Sequence, residues 1–294
     1  MLIKKIYLFC FIFLAIFSCQ NKKSSIITTE NGYELLFHEL SEVQNNNKNG
    51  TIINLRILAK DKGEKIVFSS MTNGLNGVSS FYYDSILKSP FSGILKNLYE
   101  GDSISFEMSS NTFFSSLFEK DIIHNTLSNN KTLKVYLKVL NYNSSEDQLL
   151  YIDNLQNSAI EKEEYILRNE KDIWSRNYLQ IFKNNGIYAI KIASTESFSK
   201  ITDSIKNSVG LFYSIKDLKG REIYKTSNLS PEYYQKKAEN QLLDGFKILV
   251  DNFQRGDSIL AIIPSKLMFG KRGSFVNQIP PFCPLMINLR IIQK

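Results

Sequence analysis

The sequence predicts an α+β fold with two similar domains, each an antiparallel sheet wrapped around a short helix, joined by a helical segment. Two observations lead to this prediction. A degenerate pattern of glycine turns and alternating apolar residues occurs twice, and a charged stretch without glycine or proline separates the two copies. A chain of 294 residues is long enough for two domains of about 100–150 residues. One amphipathic helix and several antiparallel strands bury their apolar faces against each other.

The repeat is clearest around two Gly-Asp-Ser-Ile turns. Their glycines, Gly101 and Gly256, follow predicted helices, where a left-handed cap is favoured. Both copies have Phe ten residues before the glycine and again thirteen residues after it. Three pairs of segments align in the same order: 54–70 with 211–227, which share a Lys-Gly pair in a turn, 90–109 with 245–264, and 132–140 with 284–292. We therefore expect two copies of one domain, over residues 31–143 and 184–294.

Helix candidates lie just before these turns, at Pro90–Tyr99 and Gln241–Phe253. In the second candidate Phe246, Leu249 and Phe253 recur at spacings of three and four, which gives one apolar face. The flanking segments alternate apolar and polar residues, as half-buried strands do.

The segment between the copies, residues 144–183, predicts a long helix. It has eight acidic and five basic residues and apolar residues at helical spacing. Ser144 or Ser145 is suited to cap its first turn, where Glu146 and Asp147 favour the helix dipole. We expect a spacer packed on the second copy. A dimerising coiled coil is the alternative, although the heptads are irregular.

The N-terminus predicts a targeting segment. Two lysines precede an apolar run at 6–17, which is shorter than the roughly 20 residues that span a bilayer. The tetrapeptide Ile-Phe-Ser-Cys at 16–19 resembles a bacterial lipobox. The resemblance implies a lipoprotein signal peptide over 1–18, lipidation of Cys19 and a polar tether over 19–30. A signal peptide cleaved by ordinary signal peptidase, or an uncleaved anchor, is the alternative.

Composition argues against several kinds of site. Three cysteines do not make a disulfide framework: Cys10 lies in the signal segment, Cys19 is the lipidation candidate, and Cys283 is expected to pack as a small hydrophobic residue. His38 and His124 do not suggest a metal site, and we expect neither a metal nor a cofactor. The 36 Lys and Arg against 29 Asp and Glu contain no run of five or more bases, so we expect no nucleic-acid partner.

The second copy carries a more specific pattern in residues 242–270 and 278–292. A helix begins at Gly-Phe, an Arg-Gly turn follows, a strand ends in Ile-Pro, and Phe-Gly and Ile-Pro-Pro precede the last strand. This pattern resembles the FKBP-type peptidyl-prolyl cis–trans isomerases, which implies two FKBP-like domains; the first is degenerate, since it lacks Ile-Pro-Pro. The whole layout is similar to tandem FKBP-like lipoproteins of Bacteroidetes, some of them associated with gliding motility.

The resemblance implies four catalytic-site residues. Phe246 takes the place of the aromatic floor of the family pocket, usually Trp, and Phe269 that of a Tyr whose hydroxyl donates to the ligand carbonyl. Ile279, before Pro280, matches an aliphatic residue whose backbone contacts the ligand, and Tyr213 matches a wall Tyr. Phe269 has no hydroxyl, so one donor of the family site is missing.

Three further positions match substrate-binding residues of the family: Ile223, Tyr224 and Ile287. Tyr224 falls where the family has an Asp, so the motif also lacks a carboxylate at this position. Plain core packing is the alternative for each of these residues. For Phe91 and Phe114, the counterparts in the first copy, we expect core packing.

The resemblance implies a prolyl isomerase that acts on X–Pro bonds of exported polypeptides, held on a bacterial membrane by its N-terminal lipid and facing the periplasm, with the outer membrane favoured. Rotation about the X–Pro bond needs no covalent step, so an apolar pocket without a metal suits it. The alternative is a catalytically degenerate chaperone or scaffold subunit of an envelope complex, such as a secretion or gliding machine.

Overall fold

The computed structural model describes residues 26–42, 48, 50–118, 131–194, 208–235 and 241–292. The predicted signal peptide and Cys19 lie outside these residues, and so does His124. Within the described ranges no helix combines the length and apolar character needed to cross a membrane.

The first half of the chain forms domain 1, a seven-stranded antiparallel sheet packed on short helices. Its strands are β1 Ile26–Thr28, β2 Glu34–Glu39, β3 Ile52–Asp61, β4 Ile66–Ser69, β5 Ser79–Tyr82, β6 Ser103–Ser109 and β7 Thr132–Asn143. Its helices are α1 Ser70–Asn73, α2 Tyr83–Ile86, α3 Ser92–Leu95 and α4 Ser110–Leu117. The strand order is β1-β2-β6-β7-β3-β4, with β5 also paired to β3.

A long helix, α5 Ser145–Asn177, connects domain 1 to domain 2. The strands of domain 2 are β8 Phe182–Asn184, β9 Ile187–Ser194, β10 Ser208–Asp217, β11 Glu222–Lys225, β12 Glu232–Gln235, β13 Asp257–Ile263 and β14 Leu285–Ile292. Its helix is α6 Asp244–Asn252, and two 3-10 turns follow at Ser265–Leu267 and Gly270–Arg272. The sheet order is β8-β9-β13-β14-β10-β11, with β12 paired to β10.

The two strand orders match one for one. The order β1-β2-β6-β7-β3-β4 of domain 1 corresponds to the order β8-β9-β13-β14-β10-β11 of domain 2. The extra strand sits on the corresponding neighbour in each sheet. The predicted fold class, two α+β domains joined by a helical segment, is therefore confirmed.

The two Gly-Asp-Ser-Ile turns have the same backbone conformation and the same hydrogen bonds. Gly101 and Gly256 both have φ +94°, and each donates its N–H to the neighbouring last strand. The next residues, Asp102 and Asp257, are each 2% exposed and accept backbone N–H groups three residues back. A buried carboxylate that is hydrogen-bonded in this way fixes the turn, which explains why this motif recurs.

One detail of the predicted alignment shifts by a residue. In the β3–β4 and β10–β11 turns the corresponding residues are Asp61 and Asp217, each of which accepts two backbone N–H groups of its own turn. Gly220 has φ +88°, whereas the corresponding left-handed position in domain 1 is Glu64, at φ 61°, and not Gly63. The Lys-Gly pairs therefore do not superpose, because the aspartate rather than the glycine anchors the turn.

Several predicted boundaries also differ. The helix expected at Pro90–Tyr99 is only the single turn α3, because Gly93 lies in its middle and lowers helix propensity. The helix expected at Gln241–Phe253 forms over Asp244–Asn252. Residues 26–28, which the prediction placed in the tether, form strand β1 and pair with β2.

Helix α5 begins as predicted, with Ser144 accepting the N–H of Asp147 at 3.1 Å. It packs on both domains. Gln148 exchanges hydrogen bonds with Asn54 of β3, and Trp174 packs against Ile190 and Ile262 of the second sheet. The expected packing on the second copy is therefore observed, and the helix also contacts the first.

Glu163, in the middle of α5, forms hydrogen bonds to the segment of domain 2 that follows β13. It is 9% exposed and accepts the N–H of Ser265 at 2.6 Å and its hydroxyl at 2.7 Å. This satisfies the N-terminus of the first 3-10 turn directly after β13.

Candidate functional site

A cavity of about 250 Å³ opens between α6 and the second sheet. Its floor is Phe246, which is 3% exposed on the first turn of α6. A Cβ on the preceding Gly245 would lie 2.7 Å from the Ile263 side chain, closer than such contacts occur. The glycine therefore lets α6 approach β13, and the Gly-Phe pair has a packing reason.

The structure brings six of the seven predicted binding residues into this cavity. They are Tyr213, Ile223, Tyr224, Phe246, Phe269 and Ile279. The ring of Tyr213 stands edge-on to Phe246 at 4.9 Å, and Tyr224 lies 5.5 Å from Tyr213. Edge-to-face packing of this kind fixes the orientation of the walls.

Ile287 is the exception. It is fully buried in β14, paired with Ile215 on one side and Ala261 on the other, and does not line the cavity. Its expected role in substrate binding is therefore corrected to core packing. The alternation of β14 places it beneath the site with Leu285 and Leu289 rather than in the wall.

Ile279 lines the cavity with its side chain, but its backbone is already engaged. Its N–H donates to the carbonyl of Ser274 at 2.9 Å, and its carbonyl accepts the N–H of Ser274 at 2.7 Å. This pair closes residues 274–279 into a tight loop, here named the lip loop. The family resemblance assigned the backbone of Ile279 to a ligand contact, but both its N–H and its carbonyl are hydrogen-bonded to Ser274 within the protein.

One wall of the cavity is formed by Tyr213, Tyr224 and Tyr234, which belong to a cluster of four polar residues. The hydroxyl of Tyr213 donates to Glu232 Oε2 at 2.7 Å, and the hydroxyls of Tyr224 and Tyr234 also donate to the Glu232 carboxylate. Tyr213 and Tyr234 are 3.2 Å apart at their hydroxyl oxygens. All three tyrosines line the cavity, with Glu232 behind them.

The electrostatics of this cluster keep the proton on each tyrosine. Burial raises the pKa of Tyr213, and the hydrogen bonds to Tyr234 and Glu232 raise it further. Burial also raises the pKa of Tyr234, to about 12, with help from Glu232. Burial alone would raise the pKa of Glu232, but the hydrogen bonds from the three tyrosines outweigh it and lower that pKa. At neutral pH the cluster is one carboxylate with three phenol donors.

Sequence reasoning missed Glu232. It expected the missing Asp at the Tyr224 position to leave the pocket without a carboxylate. The carboxylate comes instead from β12, whose residue Glu232 pairs with Leu211 of β10. The alternation of Glu232 and Tyr234 on one face of a short strand is the signal that could have revealed it.

In domain 1 the corresponding positions carry neither the tyrosine hydroxyls nor the carboxylate. Phe68 pairs with Ala59 as Tyr224 pairs with Ile215, and Phe81 pairs with Ile53 as Tyr234 pairs with Val209. By the same registers, Ile57 corresponds to Tyr213 and Ser79 to Glu232, while Phe106 corresponds to Ala261.

Phe106, which is larger than Ala261, packs edge-on against Phe91 with ring centroids 5.8 Å apart. Phe91 and Phe114, the counterparts of Phe246 and Phe269, are 0% and 1% exposed. Phe113 touches both, with ring centroids at 6.2 and 5.1 Å. The expected core role of Phe91 and Phe114 agrees with this packing.

The lip loop of domain 2 reaches this aromatic cluster. The ring of Phe275 lies 5.0 Å from Phe118 and 5.9 Å from Phe68, and its carbonyl accepts Asn73 Nδ2 at 2.9 Å. Since Ile279 and Asn277 of the same loop line the cavity, domain 1 packs directly on the edge of the pocket of domain 2.

The remaining sequence candidates have structural surroundings. Cys283 is half-buried, and burial raises its pKa to about 11, so the thiol is protonated at neutral pH. His38 bonds Ser105 through Nε2 at 2.9 Å and stacks near Tyr136. In the described part of the chain, no three His, Cys, Asp or Glu residues are grouped as metal ligands are.

No family model and no curated protein matches the sequence. Solved structures do match. A peptidyl-prolyl cis–trans isomerase from Pseudomonas syringae pv. tomato is 18% identical, covers 47% of this chain and 94% of its own, and has a TM-score of 0.38. The three FKBP domains of wheat FKBP73 are 12% identical and cover 92% of this chain and 98% of their own, with a TM-score of 0.33.

The N-terminal domain of FKBP42 from Arabidopsis thaliana is 19% identical, covers 39% of this chain and 91% of its own, and has a TM-score of 0.34. Identities at this level compare folds only.

Proposed function

We propose that the cavity of domain 2 is a peptidyl-prolyl binding site that accelerates rotation about X–Pro bonds. The observation that carries this proposal is the aromatic floor and walls around a cavity of about 250 Å³. Pockets for drug-sized ligands occupy about 300–1,000 Å³, so this one suits a single ring with its flanking peptide groups.

The proposed chemistry uses burial rather than a nucleophile. The X–Pro bond is a resonance-stabilised amide with a rotation barrier of about 18–20 kcal/mol. The twisted amide has lost that resonance and is less polar, so an apolar site stabilises it relative to the planar form. Phe246 and Phe269 provide apolar surface on two sides of the cavity, and Ile279 on its lip.

The absent donors limit the expected rate. Phe269 offers no hydroxyl, and the N–H of Ile279 is bonded to Ser274. A hydrogen bond contributes about 0.5–1.5 kcal/mol, and each 1.36 kcal/mol is tenfold in rate. We expect activity about ten- to a hundredfold below that of a site that keeps both donors.

The same observation supports a second candidate, a holding chaperone or scaffold that binds proline segments without turning them over. The filled core of domain 1 agrees with it, because that domain presents packed aromatic rings where domain 2 has its cavity. The two candidates differ in whether binding is accompanied by acceleration.

The deciding experiment follows the refolding of a substrate protein limited by a slow X–Pro bond, in the presence of the full chain. Phe246→Leu removes the ring at the pocket floor, and Phe91→Leu makes the same change at the matched site of domain 1. We expect acceleration that Phe246→Leu lowers about tenfold and Phe91→Leu leaves intact.

Two other outcomes would change the conclusion. Acceleration lost equally in both variants would place it outside this pocket. Binding of a proline peptide, observed by NMR titration, without acceleration would favour the scaffold.

We also propose that the chain is anchored in a bacterial envelope through lipid on Cys19, with the domains facing the periplasm. The support is the apolar run and the lipobox-like tetrapeptide at 16–19. Metabolic labelling with an alkyne fatty acid should tag the chain and fail with Cys19→Ala. Labelling of the Cys19→Ala variant would contradict this site.

A further inference from the structure

The polar wall of the domain 2 pocket has its protons turned away from the cavity. A protonated tyrosine has one O–H, and the hydroxyls of Tyr213, Tyr224 and Tyr234 all donate to Glu232. What these hydroxyls present to a ligand is therefore oxygen lone pairs.

The opposite side adds no donor. Phe269 is a hydrocarbon ring, and the N–H of Ile279 is bonded to Ser274. Among the described residues that line the cavity, the side-chain donors that face solvent are the amides of Gln241 and Asn277, both exposed at the outer rim. The inner wall accepts hydrogen bonds rather than donating them.

The wall is also negatively charged. Glu232 stands directly behind the three hydroxyls as a carboxylate, without a lysine or arginine bonded to it in the described contacts. A cation that contacts the hydroxyl oxygens would be separated from the Glu232 carboxylate by a single hydroxyl group. The interaction would take place in surroundings less polar than bulk water, which strengthens it.

We propose that the pocket prefers proline segments carrying a cationic donor, a Lys or Arg side chain, directly before the proline. Glu232 is the positioning residue that sets this preference, because it takes the three tyrosine protons and supplies the charge. This inference rests on the proposed function and names the ligand class of the same site.

The test measures dissociation constants of the full chain for acetyl-Ala-Xaa-Pro-Phe-amide peptides with Xaa Lys, norleucine or Glu. Lys and norleucine have stems of similar length and differ in the ammonium group. We expect the Lys peptide to bind about three- to tenfold more tightly than the norleucine peptide at low salt, with a smaller ratio at high salt. The Glu peptide should bind most weakly.

The decisive variant is Glu232→Gln, which should bring the Lys-to-norleucine ratio to about one. Glu222→Gln removes the same charge from an exposed position on β11 outside the cavity and should keep the ratio. Because both peptides are measured on one sample, the ratio does not depend on the folded fraction. Tyr234→Phe removes one acceptor and keeps the carboxylate, so it should lower the ratio about twofold.

Each result is distinguishable. Binding of all three peptides with equal affinity, or a ratio that Glu232→Gln does not change, would overturn this inference and leave the proposed site. Failure of every proline peptide to bind the wild-type chain would overturn both.

Discussion

Domain 1 and domain 2 share one strand order but differ in the side chains that lie between the sheet and the short helix packed on it. In domain 2 three tyrosines and a glutamate surround a cavity, whereas Ile57, Phe68, Phe81 and Ser79 take those places in domain 1. The turns that direct the chain, at Asp102 and Asp257, are the same. The difference teaches that the fold depends on a few backbone-fixing residues, whereas the polar pocket depends on the tyrosines and the glutamate at a few wall positions.

The comparison predicts that domain 1 is more sensitive to loss of an aromatic ring. Phe113 is fully buried among Phe91, Phe114 and Phe118, so Phe113→Ala leaves a cavity and should cost about 3–5 kcal/mol. Phe269 borders space that already exists, so Phe269→Ala should cost about half as much or less. Denaturant unfolding followed by circular dichroism measures both. Equal losses would contradict the contrast between a filled and an open domain.

The shared turns should respond alike. Asp257→Asn and Asp102→Asn each place an amide against a backbone N–H that the carboxylate accepted, and each should cost about 1.5–3 kcal/mol at pH 7. Unequal losses at pH 7 would show that the two turns are not equivalent in energy.

The turn of domain 2 also carries a pH signature. Burial alone would raise the pKa of Asp257, but hydrogen bonds from Gln254 and Ser194 and the charge of Lys191 outweigh it and hold that pKa below its ordinary value. A lowered pKa stabilises the fold above the unfolded pKa and loses that effect as pH falls through the folded value. Unfolding measured from pH 6 to pH 2 should therefore show the gap between wild type and Asp257→Asn closing below about pH 4. A constant gap would contradict the ionised turn.

Exchanging hydroxyls between the domains gives a sharper test. Phe68→Tyr brings a hydroxyl into an aromatic core and should cost about 1–3 kcal/mol unless it reaches a partner. Tyr224→Phe removes the hydroxyl of a side chain that is 39% exposed and should change stability by less than about 1 kcal/mol. Thermal melting of the two variants measures these losses of stability. A larger loss in Tyr224→Phe than in Phe68→Tyr would mean that the matched positions are not equivalent.

The smallest expected effect concerns the contact between the domains. Phe275→Ala removes a ring that packs on Phe118 and Phe68, a contact of about 0.5–1.5 kcal/mol. We expect faster amide hydrogen exchange in the lip loop and weaker peptide binding. Val276→Ala, at an adjacent residue that is 63% exposed, serves as the control and should change neither. Unchanged exchange in Phe275→Ala would show that domain 1 does not steady the pocket edge.

The sequence alone determined the fold class, the twofold repeat and the helix between the copies, because these depend on local features. The Ser144 cap, the glycines at positive φ before Asp102 and Asp257, and the apolar face of α6 are all readable from neighbours in the chain. Much of the pocket was also predicted, through Phe246, Phe269 and the walls of β10 and β11.

Only the tertiary structure decided the polar character of the site. Glu232 lies 19 residues from Tyr213 along the chain, and pairing of β12 with β10 brings them together. Strand register turned Ile287 into the core, and closure of the lip loop engaged the N–H of Ile279. The packing of Phe275 on domain 1 joins residues about 200 positions apart. Contacts of this kind depend on register and packing between distant segments, which local spacing in one sequence does not specify.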